Sequence, residues 1–327
     1  HSSLFKKKPK VVKGIELIYI ASIETKFLSQ IVNSFFSFLH VCFSNVDVIL
    51  VLNSANGPFG ILTKIFRKKT CINVDGLEWL RPKWRGLGSY YFRISSKLAT
   101  IFYDEIITDS NQMSIVYSKR FNKKSKTIAY GSTMVRTDSN KILEKFRLKK
   151  NDYYLIVGRL IPDNNSKLIV DGFLKSNSKK KLVIVGDVPY MDAYSSDIKK
   201  NKSDKIIFTG YINCNTNLSS LYINCYCYIH GHEFGGTNPT MINALDLNCN
   251  IVALKTKFNR EMIGTKQVIF FEKKLSSVRK AIIKFENEQE VILDEKLNYI
   301  LPDKFKWNYI TNQYIELFYK LTSLQNT

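Results

Sequence analysis

One stretch of the sequence decides the predicted fold: Tyr228-Ile229-His230-Gly231-His232-Glu233-Phe234-Gly235-Gly236-Thr237-Asn238-Pro239. It begins within the β-prone run Tyr226 to Ile229, which predicts the end of a buried strand. Asn238 is a favourable N-cap and Pro239 fits the first position of a helix, which we expect to run to about Leu247. A strand that passes through a glycine-containing loop into a helix is a building unit of parallel α/β sheets.

The loop of this unit has the features of an anion site. Gly235 and Gly236 carry no side chain, so a ligand can approach the backbone closely. The loop amides up to Thr237, together with the positive end of the helix dipole, suit a phosphate or diphosphate. Glu233 precedes these amides and is better placed for a hydroxyl group of the ligand. An anionic ligand with hydroxyls beside the anion is a nucleotide sugar; the alternative is an ordinary tight turn with a solvated glutamate.

A metal site in the same stretch is not expected. His230 and His232 are two residues apart, and no nearby Cys, Asp or third His completes a ligand set. The sequence also shows no DxD motif. We therefore predict no metal and no cofactor, with the nucleotide sugar as a substrate.

Length and composition predict two globular domains. The chain has 327 residues, which is long for one core, and 45% of them are apolar. No apolar run reaches the ~18 residues expected of a membrane-spanning helix. The six cysteines are scattered without a CxxC motif, which favours reduced thiols in a cytoplasmic protein.

The net charge of +21 is concentrated in the N-terminal half. Residues 1–150 hold 26 Lys and Arg against 10 Asp and Glu, whereas residues 151–327 hold 23 against 18. This excess predicts an anionic partner, such as membrane lipid, a lipid-linked diphosphate or nucleic acid. Clusters at Lys6–Lys8, Lys64 and Arg67–Lys69 suggest peripheral contact with the inner face of the plasma membrane. The alternative is ordinary solvated lysine in a chain rich in Lys, Asn and Ile.

Strand-like runs alternate with helical patterns along the chain, which predicts parallel sheets with helices on both faces. The charged segment Lys141–Asp152 separates two such series and is interpreted as a linker. The predicted fold class is therefore α/β, with two Rossmann-like doubly wound domains that face a cleft. Their ligand would lie at the carboxyl ends of the strands. Predicted strands include Glu16–Ile20, Val48–Leu52, Thr70–Val74, Glu105–Thr108, Tyr154–Val157, Lys181–Val185, Lys205–Phe208, Tyr226–Ile229, Asn250–Ala253 and Gln267–Phe271.

Short motifs are spread over nearly the whole chain. In order, they are Asn73-Val74-Asp75-Gly76-Leu77-Glu78-Trp79 with Arg81, Lys83 and Trp84, then Asp109-Ser110, Ile128-Ala129-Tyr130-Gly131, Val157-Gly158-Arg159 with Pro162 and Asn164-Asn165, the stretch 230–239, and Phe258-Asn259-Arg260-Glu261. Together they resemble the signature of the family 4 glycosyltransferases, in particular the rhamnosyltransferase-like branch of bacterial polysaccharide synthesis.

The resemblance implies a GT-B fold, with the sugar donor mostly on the C-terminal domain and the acceptor on the N-terminal one. We expect an N-terminal domain over residues 1–140, a nucleotide-sugar-binding domain over 150–300, and a helix within 301–327 that crosses back to the first domain. The family's first strand and its glycine-rich loop have no counterpart before His1. We therefore expect the first strand of the N-terminal domain to be missing from this chain.

The resemblance also implies a retaining transfer, in which negative charge grows on the departing diphosphate. Arg159 follows a strand and a glycine and offers a planar, permanently charged fork for phosphate oxygens. We predict it as a catalytic residue together with Glu233, which would hold hydroxyls of the donor sugar. Asn243 falls where the family has a second glutamate and can bind a ribose hydroxyl as a neutral partner. The predicted donor-binding residues are Gly158, Arg159, Asn164, His232, Gly235, Gly236, Thr237, Asn238 and Asn243.

On the acceptor side, polar and aromatic residues follow two predicted strands at their carboxyl ends, where the cleft is expected. Carboxylates there can bind sugar hydroxyls, and Trp79 and Trp84 can stack on a sugar ring. Packing of both tryptophans in the core or an interface is the alternative. The predicted acceptor-side residues are Asn53, Asn56, Asp75, Glu78 and Trp79.

The leading hypothesis is transfer of rhamnose from dTDP-rhamnose to a glycan or polyprenol-linked acceptor in cell-surface polysaccharide synthesis. The same reaction with a UDP- or GDP-sugar is an alternative. A basic nucleic-acid-binding protein is another, although the sequence has no RRM, zinc or helix-turn-helix signature and we expect no nucleic acid. An inactive paralogue is the third, suggested by Asn243 and the missing N-terminal segment.

Overall fold

The computed structural model of this chain describes residues 8–20, 22–23, 28–84, 86–189, 192–288 and 299–323. The elements of the N-terminal part are, in order, β1 (Val11–Val12), β2 (Ile15–Glu16), α1 (Leu28–Cys42), β3 (Val48–Leu52), α2 (Gly60–Ile65), β4 (Lys69–Asn73), α3 (Leu87–Phe102), β5 (Glu105–Thr108), α4 (Asn111–Phe121) and β6 (Lys126–Thr127). Those of the C-terminal part are α5 (Asn140–Lys145), β7 (Tyr153–Val157), α6 (Ser166–Ser176), β8 (Lys181–Val185), α7 (Ala193–Lys199), β9 (Ile206–Gly210), α8 (Asn215–Asn224), β10 (Cys227–His230), α9 (Pro239–Asp246), β11 (Ile251–Leu254), α10 (Lys257–Ile263), β12 (Ile269–Phe271), α11 (Leu275–Asn287) and α12 (Trp307–Ser323).

The C-terminal sheet is parallel, with the strand order β12-β11-β10-β7-β8-β9. Its first strand, β7, therefore lies in the middle, and the chain winds outward to β9 on one side and to β12 on the other. The carboxyl ends of β7 and β10 meet where the winding reverses, which is the place where open α/β sheets bind ligands. Strand β7 is apolar along its length because both faces are covered: Leu155 packs in one core and Tyr154 in the other.

The N-terminal sheet is also parallel, with the order β3-β4-β5-β6. Its two faces are covered by different helices. On one face, Ile72 and Ile106 share a core with Phe92 and Ala99 of α3. On the other face, Cys71 and Ile107 lie in a cluster with Ile310, Leu317 and Leu321 of α12. The last helix described is thus packed on the first sheet.

These two parallel sheets confirm the predicted α/β fold class. The N-cap prediction is also confirmed: the side chain of Asn238 accepts a hydrogen bond from Thr240 N–H at 3.0 Å, and Pro239 opens α9. The strand predicted at Glu16–Ile20 is wrong. Ile15–Glu16 instead pairs antiparallel with Val11–Val12 in a small hairpin. All four hairpin residues are exposed, so no face of it buries apolar area in a sheet core.

The domain boundaries at 1–140, 150–300 and 301–327 stay predictions, as does the missing first strand. Within the described residues, no helix has both the length and the apolarity that crossing a bilayer requires.

Candidate active site

A cavity of about 400 Å³ opens at the carboxyl ends of β7, β8, β9 and β10. Two glycines at its base explain why no side chain fills it. Gly186, directly after β8, has φ +117°, and a Cβ on it would lie 2.2 Å from the carbonyl oxygen of Gly158. Gly158 in turn donates its N–H to the Val185 carbonyl at 2.9 Å. The two strand ends are thus held together through bare backbone, which leaves the space above them open to a ligand.

Most of the predicted donor-binding residues line this one cavity. They are Gly158, Arg159, Asn164, His232, Asn238 and Asn243. Arg159 is exposed, so its guanidinium is accessible to a ligand. Asn164 connects two loops of the wall, because its Nδ2 donates to the Arg159 carbonyl at 2.7 Å and its Oδ1 lies 2.9 Å from His232 Nδ1.

The two histidines of the wall are held in the neutral form. Burial lowers the pKa of His232 to about 4, and the charges of Arg81 and Arg159 act in the same direction. Burial, followed by the proximity of His232, holds the pKa of His230 well below its usual range. His230 Nδ1 is 3.0 Å from the Tyr228 hydroxyl, and its Nε2 is buried without a hydrogen-bond partner among the described residues. The cavity therefore offers neutral ring nitrogens beside a positive guanidinium.

Asn243 is buried at the side of the cavity and is partly engaged by the segment that leads into α5. Its Oδ1 accepts hydrogen bonds from Thr133 N–H at 3.2 Å and from the Ser132 hydroxyl at 3.3 Å. Its Nδ2 has no hydrogen-bond partner among the described residues. A glutamate at this position could accept bonds from a ribose, whereas this asparagine has a hydrogen-bond donor left to offer.

Glu233 lies outside the set of residues that line the cavity. Its carboxylate accepts from Lys273 Nζ at 2.5 Å and from Asn165 Nδ2 at 3.4 Å, while its backbone N–H donates to the Asp163 carbonyl. With Lys273 half exposed, this ion pair contributes at most about 1 kcal/mol. A sugar hydroxyl can therefore compete with Lys273 for the Glu233 carboxylate.

The glycine loop lies against the N-terminal part of the molecule. A Cβ on Gly76 would be 3.4 Å from Gly235 Cα, and a Cβ on Gly236 would be 1.6 Å from Asp109 Oδ1. Thr237 donates its backbone N–H to Asp109 Oδ2 at 2.9 Å, and its hydroxyl accepts from Tyr130 N–H at 3.1 Å. The structure thus contradicts the prediction that the Thr237 amide binds phosphate, because Asp109 already occupies it. Gly235 and Gly236 stay as predicted amide donors.

Two of the acceptor-side predictions are wrong for the same reason, since both side chains point into the protein. Trp79 is 5% exposed and packs against Tyr117 and Phe121 in the core of the N-terminal sheet. Glu78 is also buried, and its carboxylate is 3.0 Å from Arg81 Nη1 and 2.8 Å from Trp84 Nε1. Neither residue is available to an acceptor sugar.

Asp75, Asn53 and Asn56 lie nearer to solvent. Asp75 has φ +57°, a left-handed backbone that non-glycine residues adopt mainly where the surroundings impose it. Burial raises the pKa of its carboxyl group, although the charge of Arg81 opposes this. Asn53 Nδ2 lies 3.5 Å from Asp75 Oδ2, so the two side chains meet beside the contact with Gly235. Asn56 lines a separate groove of about 1100 Å³, together with Trp84 and Tyr91.

Several residues of the site were not predicted from the sequence. Gly186 follows β8 directly, and the position after a central strand was the signal that could have found it. Asp109 and Glu261 lie in motifs that the sequence analysis quoted without a role. Glu261 accepts from the backbone N–H groups of Asn111 and Gln112 at 2.7 and 2.8 Å. Neither residue carries a sequence signal of a contact between the two halves.

Comparison with known proteins agrees with this geometry. Residues 138–300 match the family model of the group 1 glycosyl transferases, and residues 41–133 match a domain of unknown function, DUF1972. The chain has a GT-B fold, and its C-terminal half matches the glycosyl transferase family. Parallel sheets in both halves and a cavity at the strand switch point of the second half are what such a fold requires.

This chain is only distantly related to the individual proteins that it resembles. It is 24% identical over 227 residues to the N-acetylgalactosamine-N,N'-diacetylbacillosaminyl-diphospho-undecaprenol 4-alpha-N-acetylgalactosaminyltransferase of Campylobacter jejuni subsp. jejuni serotype O:2. That match covers 67% of this chain, and the chain spans 60% of the length of that curated relative.

Solved structures show the likeness of fold. Sucrose-phosphate synthase from Thermosynechococcus elongatus superimposes with a TM-score of 0.78 at 13% identity, covering 98% of this chain and 87% of that one. Anabaena HepE in complex with UDP-glucose superimposes with a TM-score of 0.75 at 14% identity, covering 89% and 83%.

Proposed function

We propose that the chain transfers a sugar from a nucleotide-diphosphate donor to a glycan or lipid-linked acceptor in cell-surface polysaccharide synthesis. The observation that carries this proposal is the cavity at the carboxyl ends of β7 and β10. It combines bare glycine backbone at Gly158 and Gly186, an accessible cation at Arg159, and buried neutral hydrogen-bonding groups. A diphosphate needs the cation and close backbone approach, and a nucleoside needs the neutral groups.

In the proposed reaction, the bond between the anomeric carbon and the diphosphate oxygen breaks while the acceptor hydroxyl oxygen bonds to that carbon. The negative charge that grows on the departing diphosphate is stabilised by Arg159 and by the amides of Gly235 and Gly236. Glu233 exchanges its bond to Lys273 for hydroxyls of the donor sugar. Attack occurs on the face that the leaving group departs from, so that the configuration is retained, and the diphosphate takes the acceptor proton. This scheme uses no cofactor.

The acceptor is proposed to lie on the N-terminal side of the cleft. Asp75, with its left-handed backbone and raised pKa, directly precedes Gly76, which lies against Gly235 of the proposed donor side. The groove lined by Asn56, Trp84 and Tyr91 has mainly apolar walls and is large enough for part of a lipid-linked acceptor. The name of the Campylobacter relative describes a diphospho-undecaprenol acceptor, which makes a lipid-linked glycan the first acceptor to test here.

For the donor, we propose dTDP-rhamnose, on the resemblance of the motifs to the rhamnosyltransferase-like branch of family 4. A UDP-sugar is the alternative, and the UDP-glucose complex of Anabaena HepE supports including it. Asn243 offers an amide where a glutamate would offer a carboxylate, so we expect ribose recognition to be weak in either case.

The test is a thermal-shift screen over dTDP-rhamnose, UDP-sugars and GDP-sugars, followed by transfer of a radiolabelled sugar to lipid-linked acceptors. We expect nucleotide sugars with one particular base to raise the melting temperature of the protein and to serve as donors for transfer. Binding without transfer to any acceptor would favour the inactive paralogue. Stabilisation by DNA or RNA, with none by nucleotide sugars, would contradict the proposal in favour of a nucleic-acid-binding protein.

We also propose peripheral contact of the N-terminal half with an anionic membrane. On α3, the exposed apolar side chains of Leu87, Tyr90 and Ile94 lie beside exposed Arg93 and Lys97. Apolar residues with flanking cations suit the boundary between headgroups and acyl chains. Binding to vesicles should require anionic lipid and should weaken as salt rises. Equal binding to neutral vesicles would contradict the electrostatic part of this proposal.

In the predicted clusters, Lys64 and Lys68 donate to the backbone carbonyls of Ile101 and Ser44. These two cations are therefore partly engaged within the protein. Lys6 and Lys7 lie outside the described residues.

A further inference from the structure

Two carboxyl groups cross between the halves of the molecule in opposite directions. Glu261, on α10 of the C-terminal part, accepts hydrogen bonds from the backbone N–H groups of Asn111 and Gln112 at 2.7 and 2.8 Å. Asp109, at the end of β5 in the N-terminal part, accepts from the backbone N–H of Thr237 at 2.9 Å. Each half thus places an acidic side chain on backbone amides of the other.

The Glu261 contact completes the N-terminus of α4. That helix begins with amides that have no partner within the helix, and its own sequence supplies only the Ser110 hydroxyl, which accepts from Met113 N–H at 3.2 Å. The first two amides are instead capped by a residue 150 positions away in the sequence. A carboxylate at the positive end of a helix forms charge-assisted hydrogen bonds, which are stronger than neutral ones.

The Asp109 contact fixes how deeply the glycine loop enters the cleft. A Cβ on Gly236 would lie 1.6 Å from Asp109 Oδ1, so only glycine permits this approach. Next to this contact, Gly76 of the N-terminal part lies against Gly235 with no side chain between them. The loop of the proposed acceptor side, Asp75–Gly76, is therefore seated directly on the loop of the proposed donor side.

We propose that Glu261 and Asp109 are positioning residues that hold the two halves in the register required for transfer. Neither side chain needs to touch the reacting atoms. Together they set the distance between the loop at Asp75–Gly76 and the loop at Gly235–Thr237, and hence between acceptor and donor. The catalytic consequence rests on the proposed function, whereas the fixed register is a property of the protein alone.

The register can be measured by pulsed electron resonance between two spin labels. Cys214 is an exposed natural cysteine in the C-terminal half, and exposed Lys97 in the N-terminal half can be replaced as Lys97→Cys. With the labels in place, we expect one narrow distance distribution. Asp109→Ala combined with Glu261→Ala should broaden the distribution toward longer distances, while Asp109→Asn, which keeps an acceptor for Thr237, should leave it narrow. Asp197→Asn, which alters an ion pair with Lys167 inside the C-terminal half, is the matched control.

The kinetic arm separates positioning from binding. Neither residue lines the proposed donor cavity, so the double alanine variant should keep most of its affinity for UDP or dTDP in calorimetry, with only the contribution of the displaced Gly235 and Gly236 amides lost. Its kcat should fall by roughly 10- to 100-fold, as expected when reacting groups are displaced by about 1 Å. Circular dichroism confirms that the variant is folded.

Each outcome decides something. An unchanged distance distribution in the folded double variant overturns the proposal, whatever the activity. A broadened distribution with unchanged kcat overturns the positioning role. If the unmodified chain shows no transfer, the proposed function has failed, and the distance measurement alone still decides whether the two carboxyl groups hold the register.

Discussion

The C-terminal half, which we propose binds the donor, and the N-terminal half, which we propose binds the acceptor, share a parallel α/β design. The polar residues after their strands nevertheless have different roles. After β7 and β10, Arg159, Asn164 and His232 surround one open cavity. After β4, Glu78 and Trp79 turn into the protein and stabilise it. A place after the carboxyl end of a strand therefore puts a residue near the cleft without deciding which way its side chain points.

The difference has a local cause. After β7 and β8 the chain continues through Gly158 and Gly186, whose missing side chains leave space above the sheet. After β4 it folds back through two short 3-10 turns, Glu78–Leu80 and Pro82–Trp84. These turns bring Trp79 onto the helix layer and enclose the Glu78 carboxylate.

The largest expected effect comes from removal of the Trp79 ring, which tests whether this residue stabilises the N-terminal half. Because the ring is packed against Tyr117 and Phe121, Trp79→Ala should lower the free energy of unfolding by about 4 kcal/mol. Chemical denaturation measures this, and Trp307→Ala, at a 47% exposed tryptophan, is the control with a smaller expected loss. A stable Trp79→Ala protein with a raised KM for the acceptor would restore the stacking role.

A somewhat smaller effect is expected at Glu78. Glu78→Ala leaves Arg81 and the Trp84 indole without their buried acceptor, so we expect a loss of about 3 kcal/mol in the free energy of unfolding. Glu316, an exposed carboxylate paired with Lys126, provides the matched control, and Glu316→Ala should change stability by less than about 0.5 kcal/mol. Equal effects of the two substitutions would show that the buried Glu78 carboxylate does not stabilise the fold.

The smallest expected effect is on the pH dependence of stability, and it tests the state of His232 in the cavity of the C-terminal half. The pKa of His232, lowered to about 4 by burial and then by Arg81, lies below the value of about 6.5 in the unfolded chain. Stability from this group is therefore complete above about pH 6.5 and is lost as pH falls toward 4. Between pH 7 and 5.5, the native protein should lose about 1 kcal/mol more than His232→Gln. Exposed His40 supplies the control variant, His40→Gln. If stability depends on pH with the same slope in His232→Gln and His40→Gln, the neutral state of His232 is contradicted.

Much of the fold could be predicted because the spacing of apolar residues and the capping residues of helices are features of short stretches of sequence. The apolar run at Tyr154–Val157 predicted strand β7, because a strand that is buried on both faces needs consecutive apolar residues. Asn238-Pro239 predicted the start of α9, because these residue types favour the N-cap and the first helical position. The strand predicted at Glu16–Ile20 is wrong, because a short β-prone run does not reveal whether a sheet is present to bury it; Ile15–Glu16 instead forms a small hairpin with Val11–Val12.

Site residues could be predicted where their role depends on neighbouring residues in the sequence. The prediction failed where the role depends on contacts with residues far away in the sequence. Arg159 and Asn164 follow a central strand closely enough for their position to be inferred. The amide of Thr237 is used by Asp109, 128 residues away, and the N-terminus of α4 is capped by Glu261. Such contacts depend on how the two halves meet, which no neighbouring residues encode.

The most direct test of the central claim is calorimetric titration of the preferred nucleoside diphosphate into the native protein and into Arg159→Ala. Arg159 is exposed at the cavity, so its removal should leave stability unchanged and weaken binding by about 1.5–3 kcal/mol, the contribution of a charge-assisted hydrogen bond. Arg93→Ala, at an exposed arginine on α3 outside the cavity, should bind as the native protein does. Equal affinities of all three proteins would contradict a diphosphate site at the ends of β7 and β10.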